Sequence, residues 1–198
     1  MGSDIHMIAQ VNKNEEWQYI ECDLNQNSEY DSFSVMANVR NGYGFAGYPT
    51  GCEWNYLEIR GLPKNLNYNP NEDDYWLGEH SFNWALLSEM EEFANEYIVG
   101  KFHTKTGIVN IEEFKKMKKE KRTTPNSYCS STWGPAIKVI TQKQAEDGVK
   151  GTHVDITWKE SNERLCYMFM DNIKILKKLA KKEKVSHDKI RLVFGFDS

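Results

Sequence analysis

The sequence contains no run of about 18 apolar residues, and no basic start followed by an apolar stretch. The first absence argues against a membrane-spanning helix, and the second argues against a secretory signal peptide. We therefore expect a protein that resides in the cytoplasm and does not bind a membrane.

The sequence has few cysteines and carries no net positive charge. The four cysteines form no C-x-x-C pair, which argues against a zinc ribbon or knuckle and predicts free thiols. The formal net charge is −4, which argues against nonspecific binding to nucleic acid. The 39% of hydrophobic residues is nevertheless enough to build a sizeable folded core.

Only five of the 25 basic residues are arginines. The lysines concentrate at residues 112–122 and 174–184, where the pattern predicts helices with solvated charged faces. Arg40 and Arg60 instead border turns that contain glycine. There a planar guanidinium could hold a phosphate or a carboxylate through two hydrogen bonds.

The order of predicted elements favours an α+β fold. Residues 4–11 and 15–22 predict a hairpin, and residues 41–53 predict a glycine-rich loop. Strands and helices do not alternate regularly, which excludes a doubly wound sheet. We expect a mixed, largely antiparallel sheet of about five strands with helices mainly on one face. The prediction is a single domain over residues 1–198, with a small charged inserted lobe at about 100–135.

Helical spacing predicts a helix that begins at an N-cap, Ser81, and a long amphipathic helix over about residues 162–182. In the long helix Phe169 and Leu176 fall on the apolar side. The chain then ends on a predicted strand in which alternate apolar residues share one face. These are Ile190, Leu192, Phe194 and Phe196.

The first strand carries two polar residues that could bind a metal. Its apolar residues alternate, so Asp4 and His6 share the opposite face. Together with His80 they could supply three ligands to a divalent metal such as zinc, with further carboxylates at Asp73, Asp74 and Glu79. The alternative is that Asp4 and His6 bond to loops that cross the edge of the sheet.

A second set of residues favours an anion or nucleotide pocket. Arg40, Arg60 and His80 each border a loop, and Ser81 at a helix N-terminus would add backbone N–H donors. Aromatic residues that could stack on a base are Tyr43, Phe45, Tyr48 and Trp84. The alternative is that the aromatics fill the core and the arginines pair with Glu53, Glu58 or Asp74. On the pocket hypothesis, Asp4, His6, Arg40, Arg60 and His80 converge in one cleft.

Several short motifs resemble those of a family of uncharacterised bacteriophage and bacterial proteins. The motifs are Asp4-Ile5-His6, Arg40-Asn41, Arg60-Gly61-Leu62-Pro63, Asp73-Asp74, His80-Ser81 with Trp84, and Arg191 to Asp197. The resemblance covers most of the chain outside the 100–135 lobe. It implies a phage or prophage origin, and hence the host cytoplasm, but no particular chemistry.

The leading hypothesis is a phage-encoded protein that captures a small phosphorylated or nucleotide-like molecule, such as a host immune signal, and thereby acts against host defence. Its ligand-binding residues would be Arg40, Tyr43, Arg60, His80, Ser81 and Trp84, with no cofactor required. The runner-up is a metal-dependent hydrolase of a similar substrate, with Asp4, His6 and His80 as metal ligands. A third hypothesis is an inhibitor of a host protein that acts through the lysine-rich helices and the 100–135 lobe. Enzymatic activity and homo-oligomer formation are left open.

Overall fold

The computed structural model describes residues 2–43, 49, 53–66, 76–129 and 131–198. The chain forms two compact units. The first unit comprises Met1–Asn41, Trp54–Lys101 and Asn162–Ser198, and the second comprises Gly42–Glu53 and Phe102–Ser161. The α+β class predicted from the sequence is confirmed.

The first unit contains a four-stranded antiparallel sheet in the order β2-β1-β7-β3. Its strands are β1 Asp4–Lys13, β2 Glu16–Ile20, β3 His80–Leu86 and β7 Ile190–Asp197. Its helices are α1 Tyr30–Ala37, α2 Leu87–Phe93 with a π-helical continuation Ala94–Ile98, α5 Asn162–Leu165 and α6 Tyr167–Glu183. A short 3₁₀ turn, His187–Lys189, leads into β7.

The predicted N-terminal hairpin is present. Asn14 and Glu15 join β1 to β2 with positive φ angles of 53° and 68°. Two consecutive left-handed residues form the tight turn that suits the twist of an antiparallel pair.

One face of this sheet is apolar and is covered by helices. It carries the alternate residues predicted for β7, all of which are fully buried. Phe33 of α1 meets Phe196 edge-on at 5.1 Å between ring centroids, and Asn172 of α6 lies against Met7 of β1. Phe169 and Leu176 of α6 are fully buried, as their spacing predicted.

The opposite face of the sheet is polar and aromatic. Register pairs Gln10 with Arg191, Asn12 with Trp17, and Trp84 with Val193, so the side chains of each pair share a face. A small cluster of Ile8, Leu77 and Val193 is also buried on this face. Near the end of β7 the backbone of Leu77 crosses the strand so closely that a Cβ on Gly195 would lie 2.2 Å from the Leu77 carbonyl oxygen.

The second unit contains a three-stranded sheet in the order β4-β6-β5. Its strands are β4 Phe102–Asn110, β5 Val139–Thr141 and β6 His153–Ser161, and its helices are α3 Ile111–Glu120 and α4 Gln142–Glu146. The described strands are thus divided between two sheets and do not form a single sheet of about five strands. The second unit also extends well beyond the lobe expected at residues 100–135.

The prediction of a helix that begins at Ser81 is wrong. Residues 80–86 form strand β3, and the helix begins only at Leu87. Phe82, Trp84 and Leu86 alternate as a strand does, while Leu86, Leu87, Met90 and Phe93 fit helical spacing, so the two patterns overlap. Pairing of residues 80–86 with β7 resolves the overlap in favour of the strand.

The N-cap of helix α1 is Glu29, one residue before the helix begins at Tyr30. The Glu29 carboxylate accepts hydrogen bonds from the Asp31 amide, at 3.1 Å, and from the Ser32 hydroxyl. The Ser32 oxygen in turn accepts a hydrogen bond from the amide of Phe169, at 3.0 Å. Burial, reinforced by the nearby charge of Asp31, raises the pKa of Glu29 to about 8, although its hydrogen bonds oppose the shift.

Glu29→Gln is expected to flatten the pH dependence of stability between about pH 4.5 and pH 8. Because the pKa of Glu29 is raised from 4.5 to about 8 on folding, the folded protein holds a proton that the unfolded chain releases in this window. The free energy of unfolding of the wild type therefore falls as pH rises through this window, by on the order of several kcal/mol. Urea denaturation at intervals from pH 4 to pH 9 measures the slope.

Glu16→Gln, at an exposed glutamate of β2, is the matched control for this prediction. Equal slopes for the wild type and Glu29→Gln would contradict the assignment of the pH dependence to Glu29.

Candidate functional site

The polar face of the first sheet forms a cleft of about 750 Å³ at the start of β7. The lining residues come from β1, β2, β3, the segment 58–65, the turn before β7 and β7 itself. They are Asn12, Trp17, Glu58, Arg60, Leu62, Pro63, Lys64, Asn65, Trp84, Leu86, Asp188, Lys189 and Arg191. Buried Asn83 of β3 fixes the segment, since its side chain accepts from the Arg60 amide at 2.9 Å and donates to the Glu58 carbonyl at 3.1 Å.

Arg191 is the central cation of this cleft and is only 1% exposed. Its Nε donates to Gln10 Oε1 at 2.8 Å, its Nη1 to Asn65 Oδ1 at 2.8 Å, and its Nη2 to the Asn65 carbonyl at 3.2 Å. All three acceptors are uncharged. Within the described ranges no carboxylate pairs with Arg191.

Two indole rings flank the Arg191 guanidinium. Its central carbon lies 4.2 Å from the ring centroid of Trp17 and 5.6 Å from that of Trp84. Cation–π contacts of this kind contribute about 0.5–2 kcal/mol each, less than the several kcal/mol that burying an unpaired cation costs. Burial accordingly lowers the pKa of Arg191 to about 10.

The hydrogen-bonding capacity left over at this point consists of donors. An arginine has five N–H donors, and three of those of Arg191 are used, which leaves one on each terminal nitrogen. The neighbouring Gln10 is fully buried, and its Nε2 has no hydrogen-bond partner among the described residues. These unused N–H groups can donate hydrogen bonds to the oxygen atoms of a bound group.

The rim of the cleft carries charges of both signs. Lys64 and Lys189 are exposed cations, and Glu58 and Asp188 are the carboxylates that line the cleft with them. A hydrogen bond from Ser186 holds the pKa of Asp188 below its usual range, so this side chain is ionised at neutral pH.

Arg60 and Trp84, two of the residues expected from the sequence, line this cleft. The Arg60 guanidinium lies 4.9 Å from the Trp84 ring centroid and is bonded to Glu89 at 2.8 Å and to Glu58 at 2.7 Å. The hydrogen bonds with Glu89, and then those with Glu58, raise the pKa of Arg60. Arg60 therefore has internal counter-ions. Its pairing with Glu58 agrees with the alternative, stated from the sequence, that the arginines pair with nearby carboxylates and do not bind a ligand.

Arg40, His80 and Ser81 lie at the opposite end of β7, about six residues or roughly 20 Å from Arg191 along the strand. His80 bonds to Ser198 and to Ser81, both at 2.9 Å, and Arg40 donates to Ser3 at 3.0 Å. Ser81 has a positive φ of 51° within β3. It does not begin a helix, so the anion site expected from helix N–H groups at Ser81 is not formed.

Asp4 and His6 lie on the polar face, whereas register places His80 with Phe196 on the helix-covered face. Asp4 accepts a hydrogen bond from Ser28, and His6 Nε2 lies 3.2 Å from Asp197 Oδ2 with its ring 4.8 Å from that of Trp76. The expectation of one common cleft for Asp4, His6, Arg40, Arg60 and His80 is thus corrected, because these residues fall into three groups.

No group of three or more His, Cys, Asp or Glu side chains suited to a metal occurs among the residues that the structure describes. Asp73, Asp74, Phe45 and Tyr48 lie outside those residues. Tyr43 belongs to the second unit and is 53% exposed. Metal binding stays a prediction, which metal analysis of the purified protein tests directly.

Sequence reasoning noted Arg191 only as part of a terminal strand. The signal was present, because Arg191 is an arginine inside an otherwise apolar strand, on the face opposite Ile190 and Leu192. Its partners Gln10 and Asn65 are 181 and 126 residues away along the chain, and nothing local identifies them.

Comparison of the chain with family models, curated proteins and solved structures finds no match. Across the described ranges, no helix combines the length and the apolar character that crossing a membrane would need.

Proposed function

We propose that this protein binds a small phosphorylated or nucleotide-like molecule in the cleft around Arg191. The observation that carries the proposal is a buried guanidinium whose hydrogen bonds, within the part of the chain that the structure describes, all go to neutral acceptors. A buried cation without a counter-ion destabilises the free protein, and an anion bound there would supply that counter-ion. Given the phage origin that the resemblance implies, the natural ligand would be a host immune signal.

The surroundings of Arg191 favour a phosphate that is attached to a planar organic group. Lys64 and Lys189 at the rim add positive charge to the same cleft, and Trp17 and Trp84 offer aromatic surface to a planar group. The volume of about 750 Å³ lies within the range of about 300–1,000 Å³ typical of small-molecule sites.

The carboxylates of Glu58 and Asp188 suit the rest of such a ligand. They would repel a second phosphate placed beside them, but they can accept hydrogen bonds from hydroxyl or amino groups. A nucleoside carries groups of both kinds. The cleft therefore has donors for an anionic end and acceptors for an uncharged end.

Calorimetric titration at constant ionic strength tests the proposal. The probes are inorganic phosphate, pyrophosphate and AMP, with adenosine as the matched uncharged compound. We expect the phosphate-bearing probes to bind and to raise the melting temperature, and adenosine to bind at least about tenfold more weakly than AMP. Failure of all three phosphate compounds to bind at millimolar concentration would overturn the proposal.

A further inference from the structure

Asn65 presents two oxygens to one guanidinium. Its side-chain Oδ1 lies 2.8 Å from Arg191 Nη1, and its backbone carbonyl oxygen lies 3.2 Å from Nη2. Two acceptor oxygens on the two terminal nitrogens form the same fork that a carboxylate or phosphate makes with arginine. In the free protein a single neutral residue thus occupies the position of an oxyanion.

Asn65 is also placed where a ligand could displace it. The residue is exposed, although the guanidinium that it contacts is buried. It belongs to a turn closed by a hydrogen bond from the Leu66 amide to the Pro63 carbonyl at 3.1 Å. Pro63 is buried, and Leu66 packs against the Ile8, Leu77 and Val193 cluster, so the turn is anchored on either side of Asn65.

We propose that Asn65 is an internal stand-in for the ligand's oxyanion, and that ligand binding displaces it from Arg191. This inference rests on the proposed function and makes it more specific. An anionic oxygen forms a stronger hydrogen bond to guanidinium than an amide or carbonyl oxygen does, so the exchange favours the ligand. The ligand must present two oxygens side by side, which a phosphate ester and a carboxylate both do.

Two substitutions at residue 65 should act in opposite directions on the binding of inorganic phosphate, measured by calorimetry on the full chain. Asn65→Asp makes the stand-in anionic, so we expect phosphate affinity to fall by about tenfold or more and the melting temperature to rise. Asn65→Ala removes the side-chain oxygen, so we expect phosphate to bind several-fold more tightly. Acetate, titrated in parallel, shows whether a carboxylate satisfies the same fork.

Asn12→Asp is the matched control for added charge. Asn12 lines the same cleft, but none of its hydrogen bonds in the described structure goes to Arg191. It should weaken phosphate binding less than Asn65→Asp does. If the wild type binds phosphate but Asn65→Ala weakens it, or Asn65→Asp matches Asn12→Asp, Asn65 is not a stand-in. If the wild type binds none of inorganic phosphate, pyrophosphate and AMP, the proposed function fails instead.

Discussion

Arg191→Lys is expected to weaken the binding of inorganic phosphate and AMP by on the order of 100-fold. Lysine keeps a positive charge but lacks the planar fork that lets arginine donate to Gln10 and to two oxygens of a ligand at the same time. It would also lose the planar contacts with Trp17 and Trp84. A loss of this size equals about 2.7 kcal/mol of binding free energy, comparable with one or two hydrogen bonds to a charged group. Calorimetric titration of both proteins measures it.

Arg40→Lys is the matched control, because it makes the same change at the opposite end of β7, at an arginine that the sequence favoured. We expect it to leave phosphate affinity unchanged. If Arg40→Lys weakens binding and Arg191→Lys does not, the anion site lies beside Ser3 and His80, and the Arg191 cleft is not the site.

Arg191→Met separates binding from folding. It removes the buried cation, and with it the cost of taking that charge out of water, while keeping a long side chain. We expect the free energy of unfolding to change by less than about 1 kcal/mol and the response to phosphate to disappear. A loss of more than about 3 kcal/mol, together with phosphate binding retained in Arg191→Lys, would make Arg191 a structural residue.

The parts of the fold that could be predicted are those whose pattern is local. β1, β7 and α6 each bury one continuous face, so period-2 or helical spacing identifies them without knowledge of their partners. β3 could not be predicted this way, because its alternation overlaps the helical spacing of α2 and only pairing with β7 decides between them. The split into two sheets likewise depends on which strands pair, and local spacing does not encode that.

The candidate site depends even more on distant parts of the chain. The sequence alone identifies Arg60 and Trp84, because it shows an arginine beside a turn and an aromatic residue that could stack on a base. Arg191 becomes distinctive only when its hydrogen-bond partners are known, because within the described residues these are Gln10 of β1 and Asn65 of the segment 58–65, and neither is a carboxylate. Which groups surround a buried cation is a property of the folded chain, and residue spacing does not reveal it.

The largest loss of stability is expected from Phe169→Ala, at about 3–5 kcal/mol. Phe169 is fully buried on α6, and its ring meets that of Phe93 edge-on at 6.0 Å between centroids. Truncation removes the apolar contacts of a large side chain and leaves a cavity that the sheet and helices cannot fully close. The backbone hydrogen bond from Phe169 to Ser32 is retained, so the loss reports side-chain packing alone. Urea denaturation measures the free energy of unfolding.

Tyr167→Ala provides the matched control for Phe169→Ala. Tyr167 is an aromatic residue at the start of the same helix, but it is 43% exposed, so its removal should cost less than about 1 kcal/mol. Phosphate binding should survive Phe169→Ala at temperatures where the variant is folded, because α6 covers the apolar face of the sheet and the Arg191 cleft lies on the polar face. A loss below about 1 kcal/mol for Phe169→Ala would mean that this face of α6 does not carry the core.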